Sequence, residues 1–176
     1  MHGWATWANL VTLLRFALIP ASVFAIAFDD FDLAAVLFVI IVASDLLDGY
    51  VARSFNQVTP LGGLLDHACD AIFVAAATTS FALGGYINPY LSWLILFAFV
   101  QYMLDSKALR GQTLRTSGLG RLNGMAYFVL VGILLGLQVA GLEVLLPAAT
   151  WFAWMLVVST AVSMADRVVA LLRSRV

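Results

Sequence analysis

Six apolar runs dominate the sequence, each about as long as the roughly 20 residues a helix needs to cross a bilayer. They read as Ala8–Phe28, Phe31–Arg53, Pro60–Gly84, Pro89–Leu109, Leu119–Gly141 and Val144–Leu172. In lipid every backbone N–H and C=O must be paired within the chain, which leaves only helices or a closed barrel. Barrel strands alternate in polarity over about ten residues, whereas these runs are longer and continuous. The expectation is an all-α integral membrane protein with six transmembrane helices, forming one domain over residues 1–176. Composition agrees, because 11% charged residues against 63% hydrophobic ones cannot furnish a soluble surface. The first run differs from a signal peptide. It opens on Trp4 and Trp7 rather than a basic segment, is too long, and lacks a small-residue cleavage pattern.

The breaks between runs are polar or helix-terminating: Asp29-Asp30, Asn56 through Pro60, Gly84-Gly85 with Asn88-Pro89, Arg110 to Gly118, and Gly141 with Glu143. Arg53 lies between the second and third runs. Lys107, Arg110, Arg115 and Arg121 surround the connection between the fourth and fifth, and Arg167, Arg173 and Arg175 lie toward the end. The remaining connections carry Asp29, Asp30, Asp32 and Glu143 but no Lys or Arg. The positive-inside rule then places both termini in the cytoplasm. A single cysteine, Cys69, excludes an internal disulfide, and a net charge of −1 gives no electrostatic footprint for nucleic acid.

Against this background the stretch from Ser44 to Asp70 is anomalous, since it holds Asp45, Asp48, Asp66 and Asp70 at the cytoplasmic ends of the second and third spans. Ionisable groups inside spans are costly and mark function. Asp45 and Asp48 are three residues apart, hence about 60° apart around a helix. Thr59-Pro60 reads as an N-cap followed by a first-turn proline. Gly62, Asp66 and Asp70 then recur every four residues and drift only about 40° per step. The short loop makes the two helices antiparallel neighbours, so four carboxylates face one seam. Left bare, they would repel one another. Mg²⁺ or Mn²⁺ ions, which prefer oxygen ligands, remove that repulsion, and four carboxylates carry charge enough for two. Gly49, Ala52, Gly62 and Gly63 permit close approach of a helix or ligand. Arg53 offers a donor fork for phosphate.

The pattern Asp45-x-x-Asp48-Gly49-x-x-Ala52-Arg53, eight residues, then Gly62-x-x-x-Asp66-x-x-x-Asp70 resembles the signature of the CDP-alcohol phosphotransferase family at every fixed position. Asn9-Leu-Val-Thr12-Leu-Leu-Arg15 with Pro20 is similar to the family's first-helix pattern. The resemblance implies an enzyme in which an acceptor hydroxyl attacks a CDP-linked donor and CMP leaves. It implies Asp45, Asp48, Asp66 and Asp70 as the metal-binding set, with Asp70 as general base and Asp66 beside it in the catalytic set. It implies a CDP site lined by Gly49, Ala52, Arg53 and Gly62, with Asp48 near the nucleotide. It also implies a homodimer, to which the apolar faces of the third and fourth spans are suited.

Asn9, Thr12 and Arg15 form a slowly drifting polar stripe, which is expected to face the aspartates or the donor. Arg110, Arg115 and Arg121, with Lys107, are candidates for holding an anionic acceptor or lipid headgroups. His67 points about 100° away from Asp66, which predicts packing. Cys69 reads as a small buried residue, and Asp166-Arg167 as a charge pair at the membrane interface. Phosphatidyl transfer from CDP-diacylglycerol to a small polar alcohol in a bacterial inner membrane, with the site facing the cytoplasm, is the favoured reading. Two alternatives stay open. "DHACD" at residues 66–70 is similar to aminoalcohol phosphotransferases, which move a headgroup onto diacylglycerol. Carboxylates within spans also occur in cation or proton transporters, although those sites sit nearer the bilayer midplane.

Overall fold

A computed structural model describes residues 7–54, 60–105 and 118–173, with side chains over 12–47, 62–104 and 118–170. The described residues form six α-helices and no strand. These are α1 (Trp7–Ala27), α2 (Phe31–Ser54), α3 (Pro60–Leu83), α4 (Tyr90–Asp105), α5 (Gly118–Val139) and α6 (Leu146–Arg173), with one 3₁₀ turn at Glu143–Leu145 before α6. Each helix coincides with one apolar run and its ends differ by no more than two residues, except that the expected end of the fourth run, residues 106–109, lies outside the described residues. Thr59, the expected N-cap of α3, lies outside the described residues.

Three tight turns share one design. After α1, Asp30 N–H donates to Ala25 C=O (2.9 Å) and Asp29 N–H to Ile26 C=O (3.2 Å). After α3, Tyr86 bonds Phe81 (2.9 Å) and Gly85 bonds Ala82 (3.1 Å); after α5, Leu142 bonds Leu137 (2.9 Å) and Gly141 bonds Gln138 (3.1 Å). This is the Schellman arrangement, which satisfies the last helical carbonyls when one residue turns left-handed. That residue has φ of 60° at Asp29, 79° at Gly85 and 64° at Gly141. Asp30 then caps α2 through Leu33 N–H (3.2 Å), and Asn88 caps α4 through Leu91 N–H (3.3 Å). Such short reversals force consecutive helices to run antiparallel side by side.

The helices close into a ring in the order α1, α2, α5, α6, α4, α3, and α3 also reaches α5 across the middle. Apolar helices in lipid gain little from the hydrophobic effect against one another, so close fit and buried hydrogen bonds hold them. Ala34, Ala77 and Ala153 are fully buried, and an added methyl on Gly132 would come within 3.2 Å of the Phe38 ring. Phe73 joins three helices, stacking on Phe38 of α2 (6.2 Å between centroids) and tilting on Phe128 of α5 (5.7 Å). Ser92 Oγ donates to Thr78 Oγ1 (3.1 Å) between α4 and α3, and Thr78 Oγ1 donates to Val74 C=O (2.7 Å).

Much of the exterior is apolar. Large hydrophobic side chains stand exposed on all six helices, among them Leu14, Val39, Ile72, Phe97, Val129 and Trp151. A surface of that kind calls for a lipid or protein covering. Gly118–Val139 (mean hydropathy 1.8) and Glu143–Ala170 (1.7) are long and apolar enough to cross a membrane, and Thr12–Ala27 and Tyr90–Leu104 are shorter apolar helices. Charge separates the two ends of the bundle. Asp29, Asp30, Asp32 and Glu143 lie at the end with the three tight turns, while Arg121 and Arg167 lie with the aspartates at the other.

Candidate functional site

Three carboxylates from two helices converge on one arginine from a third. Asp45 is contributed by α2, Asp66 and Asp70 by α3, and Arg15 by α1. Arg15 Nη1 donates to Asp45 Oδ1 and to Asp70 Oδ1 at 3.0 Å. Its Nη2 donates to Asp66 Oδ1 at 2.5 Å. The arginine side chain is 0% exposed, while the carboxylates of Asp45, Asp66 and Asp70 keep 33%, 31% and 27% of their surfaces open. One side of the cluster is therefore protein and the other is open space. The four-residue spacing that aligns Asp66 with Asp70 explains why one guanidinium reaches both. The expected direct seam between α2 and α3 is not formed, because the two are not neighbours in the ring; α1 packs against both, antiparallel to α2 and parallel to α3, and brings Asp45 to the same fork. Thr12, one turn before Arg15, is also buried.

One guanidinium cannot neutralise three ionised carboxylates, and the two formal negative charges left over favour a further cation. Asp66, His67 and Asp70 each present a ligand atom, all within 4.8 Å of one another. Carboxylate oxygens with a single imidazole, partly open to solvent, form a donor set that fits Mg²⁺ or Mn²⁺. His67 packs as expected and also lies within reach of this set. It tilts on Tyr102 with 5.5 Å between ring centroids, and it also borders the acidic pair. Its Cα–Cβ direction differs from that of Asp66, but an imidazole is long enough to swing back.

A cavity of about 570 Å³ opens beside the cluster, bounded by α3, α4, α5 and α6 with Asp45 of α2. Asp45, His67 and Asp70 are on its wall, and Asp66 is not. Polar side chains from the later helices line the remainder, including Gln101, Tyr102, Asn123 and Thr160. The sequence reading missed these residues. Their only signal was isolated polarity within apolar runs, and nothing local says whether such a residue faces a neighbour, a cavity or lipid. Arg121 is exposed and lines the cavity. Arg167 departs from its expected pairing with Asp166, because successive helix residues point about 100° apart. Its guanidinium lies over the Tyr102 ring, 5.2 Å from the centroid, and Asp166 is exposed.

Of the other expected site residues, Gly62 is half-buried in the first turn of α3. Asp48, Gly49, Ala52 and Arg53 fall on the last turns of α2 and Asn9 on the first turn of α1, with their side chains outside the described residues. Arg110 and Arg115, with Lys107, lie outside the described residues altogether. Cys69 is buried, as expected of a small apolar residue.

Fold and site together define a class: a helical bundle with a lipid-compatible exterior and an acidic centre, built from two helices bridged by a third, that suits divalent cations beside a ligand-sized cavity. Within that class the chain belongs to the CDP-alcohol phosphatidyltransferase family, whose sequence profile matches residues 5–170. It is similar to human cardiolipin synthase (CMP-forming), 30% identical over 112 residues, which cover 63% of this chain and 37% of that protein. It is 40% identical over 72 residues to CDP-diacylglycerol–glycerol-3-phosphate 3-phosphatidyltransferase of Pseudomonas fluorescens, covering 39% of this chain and 37% of that one. It is 36% identical over 90 residues to CDP-diacylglycerol–inositol 3-phosphatidyltransferase 1 of Arabidopsis thaliana, covering 51% and 38%. The matched region is well under half the length of each of these relatives.

Proposed function

We propose that the protein transfers a phosphatidyl group from CDP-diacylglycerol to a small polar alcohol and releases CMP. The observation that carries this reading is the convergence of Asp45 from α2 with Asp66 and Asp70 from α3 on Arg15 of α1, beside a cavity large enough for a substrate. Family membership supports the reaction class. The names of the relatives, each a cardiolipin synthase or a CDP-diacylglycerol phosphatidyltransferase, favour phosphatidyl transfer over movement of a headgroup onto diacylglycerol. A transporter reading has no observation in its favour.

In this reaction the acceptor oxygen forms a bond to the phosphorus that carries the diacylglycerol. The bond from that phosphorus to the bridging oxygen breaks, the bridging oxygen leaves with CMP, and the hydroxyl proton passes to a carboxylate. Asp70 suits the proton better than Asp66, because Asp70 is on the cavity wall and Asp66 is not. Asp45, Asp48, Asp66 and Asp70 would hold two divalent ions. Such ions, when bound, supply neutralising charge for a pyrophosphate and its departing half. Arg15 fixes the direction of three carboxylates and keeps them from splaying. The last turns of α2, with Gly49, Ala52 and Arg53, and the first turn of α3, with Gly62, would receive the nucleotide; Asn9 and Thr12 would face it from α1.

The chain would span a membrane six times with both termini and the aspartates at the cytoplasmic side, where the basic residues lie. A homodimer through the outward face of α4 is part of the same reading, since Trp93, Phe97, Val100 and Leu104 form an exposed apolar stripe there. The test is CMP release by the purified protein in detergent with Mg²⁺, CDP-diacylglycerol and a panel of polar alcohols. Absence of CMP with every alcohol, from protein shown to be folded and ion-loaded, would refute the reaction.

A further inference from the structure

Helix α3 turns two kinds of donor atom toward the open side of the acidic centre. His67 and Asp70 both line the cavity, and Asp66, one residue before His67, does not. His67 and Asp70 are three residues apart in the chain, hence about 60° apart around the helix, whereas Asp66 lies about 100° from His67. That three-residue spacing is the one by which helices of di-iron and di-manganese bundles present a carboxylate and an imidazole together. The ligand atoms of Asp66, His67 and Asp70 all lie within 4.8 Å of one another. Ligands of one octahedral ion stand about 3–4 Å apart, so side-chain rotation alone closes the remaining distance.

The imidazole is also held in place from other helices. Its ring tilts on Tyr102 of α4 with 5.5 Å between centroids, and the Arg167 guanidinium of α6 lies over the Tyr102 ring at 5.2 Å. Packing of this kind restricts the rotamers of a ligand and keeps it aimed. Tyr102 is 6% exposed and lines the same cavity, yet its hydroxyl has no hydrogen-bond partner among the described residues. Buried hydroxyls are normally satisfied, and the waters that divalent ions of this size usually keep would satisfy this one. We infer that His67 is a nitrogen ligand to a divalent ion of this centre, paired with Asp70, and that the centre therefore takes Mn²⁺ in preference to Mg²⁺. Mg²⁺ is held by oxygen ligands and water, whereas first-row transition ions accept imidazole readily. The inference rests on the proposed ion-dependent transfer and deepens it by adding a fifth side chain to the four aspartates and naming the ion.

The experiment uses the tag-free full chain in detergent, stripped with EDTA and without substrate. Mn²⁺ binding is followed by electron paramagnetic resonance, and Mg²⁺ binding by its competition with Mn²⁺. Electron spin-echo modulation of the bound Mn²⁺ then reports directly coordinated nitrogen. Wild type should show nitrogen coupling, and growth on isotopically labelled histidine should change its pattern. His67→Phe, which keeps a ring against Tyr102, should abolish the coupling, and His2→Gln should keep it, these being the two histidines of the chain. His67→Phe should weaken Mn²⁺ binding by about tenfold or more and Mg²⁺ binding by less than about threefold, as expected for losing a ligand that the transition ion favours. Tyr102→Leu should reduce the coupling and the Mn²⁺ affinity without abolishing either. Unfolding in EDTA at the wild-type temperature shows that a variant is folded, and the isotope exchange in wild type decides the question without any variant. Bound Mn²⁺ with no histidine coupling confines His67 to packing and overturns the inference, while CMP release with that ion leaves the reaction standing. A ratio of Mn²⁺ to Mg²⁺ affinity that His67→Phe leaves unchanged overturns the ion preference. Histidine-coupled Mn²⁺ in a protein that releases no CMP keeps the ligand and removes the reaction. Failure of the folded protein to bind either ion overturns both.

Discussion

Replacing Arg15 tests the centre of the molecule most directly. Arg15→Gln keeps much of the side-chain length but removes the charge that three carboxylates share. Removing one partner of a buried ion pair typically costs about 3–5 kcal/mol, because the other partner is left uncompensated. The carboxylates here keep 27–33% of their surfaces open, so water recovers part of their solvation and the lower end, about 3 kcal/mol, is expected. For a chain of this size each kcal/mol moves Tm by about 2–4 °C, which gives a fall of roughly 6–12 °C. The assay is thermal unfolding in detergent with EDTA and again with saturating Mg²⁺. The fall should be largest in EDTA, and Mg²⁺ should stabilise Arg15→Gln more than wild type, since an ion then supplies charge the arginine no longer does. Combining Arg15→Gln with Asp45→Asn should cost less than the two changes added separately, by about 0.5–3 kcal/mol, because the two side chains touch. Equal Tm for wild type and Arg15→Gln in EDTA, with strict additivity in the double variant, would refute the shared ion-pair centre.

Asp70→Asn should cut kcat for CMP release by about 10²-fold or more, the usual worth of a general base. EDTA should abolish release and Mg²⁺ restore it, as followed by CMP chromatography. Gly141→Ala should destabilise by about 1 kcal/mol, because its φ of 64° is strained for any side chain although nothing lies within 4 Å of an added methyl. Gly136→Ala, equally uncrowded but inside α5, should stabilise by about 0.5–1 kcal/mol, and chemical denaturation of the pair separates backbone strain from crowding. At the tight-turn end, burial, with Asp29 alongside, pushes the Tyr86 phenol above its usual range. The unfolded chain therefore loses this proton first. The associated stability is complete below about pH 10, the ordinary tyrosine value, and is lost as pH rises through the folded value. Tyr86→Phe should flatten that slope in a Tm-versus-pH series.

The sequence by itself determined the helices, because a run of apolar residues in lipid has no other way to pair its backbone. It also determined where they end, since Asp29, Gly85 and Gly141 stand at the three positions that turn left-handed. It determined that Asp66 and Asp70 share a face, because the helical repeat is local arithmetic, but the seam it implied between the second and third helices is filled by α1. The sequence left the stripe that carries Arg15 to face either the aspartates or the donor, and the tertiary structure placed Arg15 among the aspartates. Arg15 is 30, 51 and 55 positions from its three partners, and that meeting depends on how α1 lies against both α2 and α3. The cavity was equally illegible, since Gln101, Tyr102, Asn123 and Thr160 look like stray polar residues until the ring of six helices closes. Periodicity reports which side of a helix a residue occupies, whereas the neighbour on that side is set by packing between segments far apart in the chain.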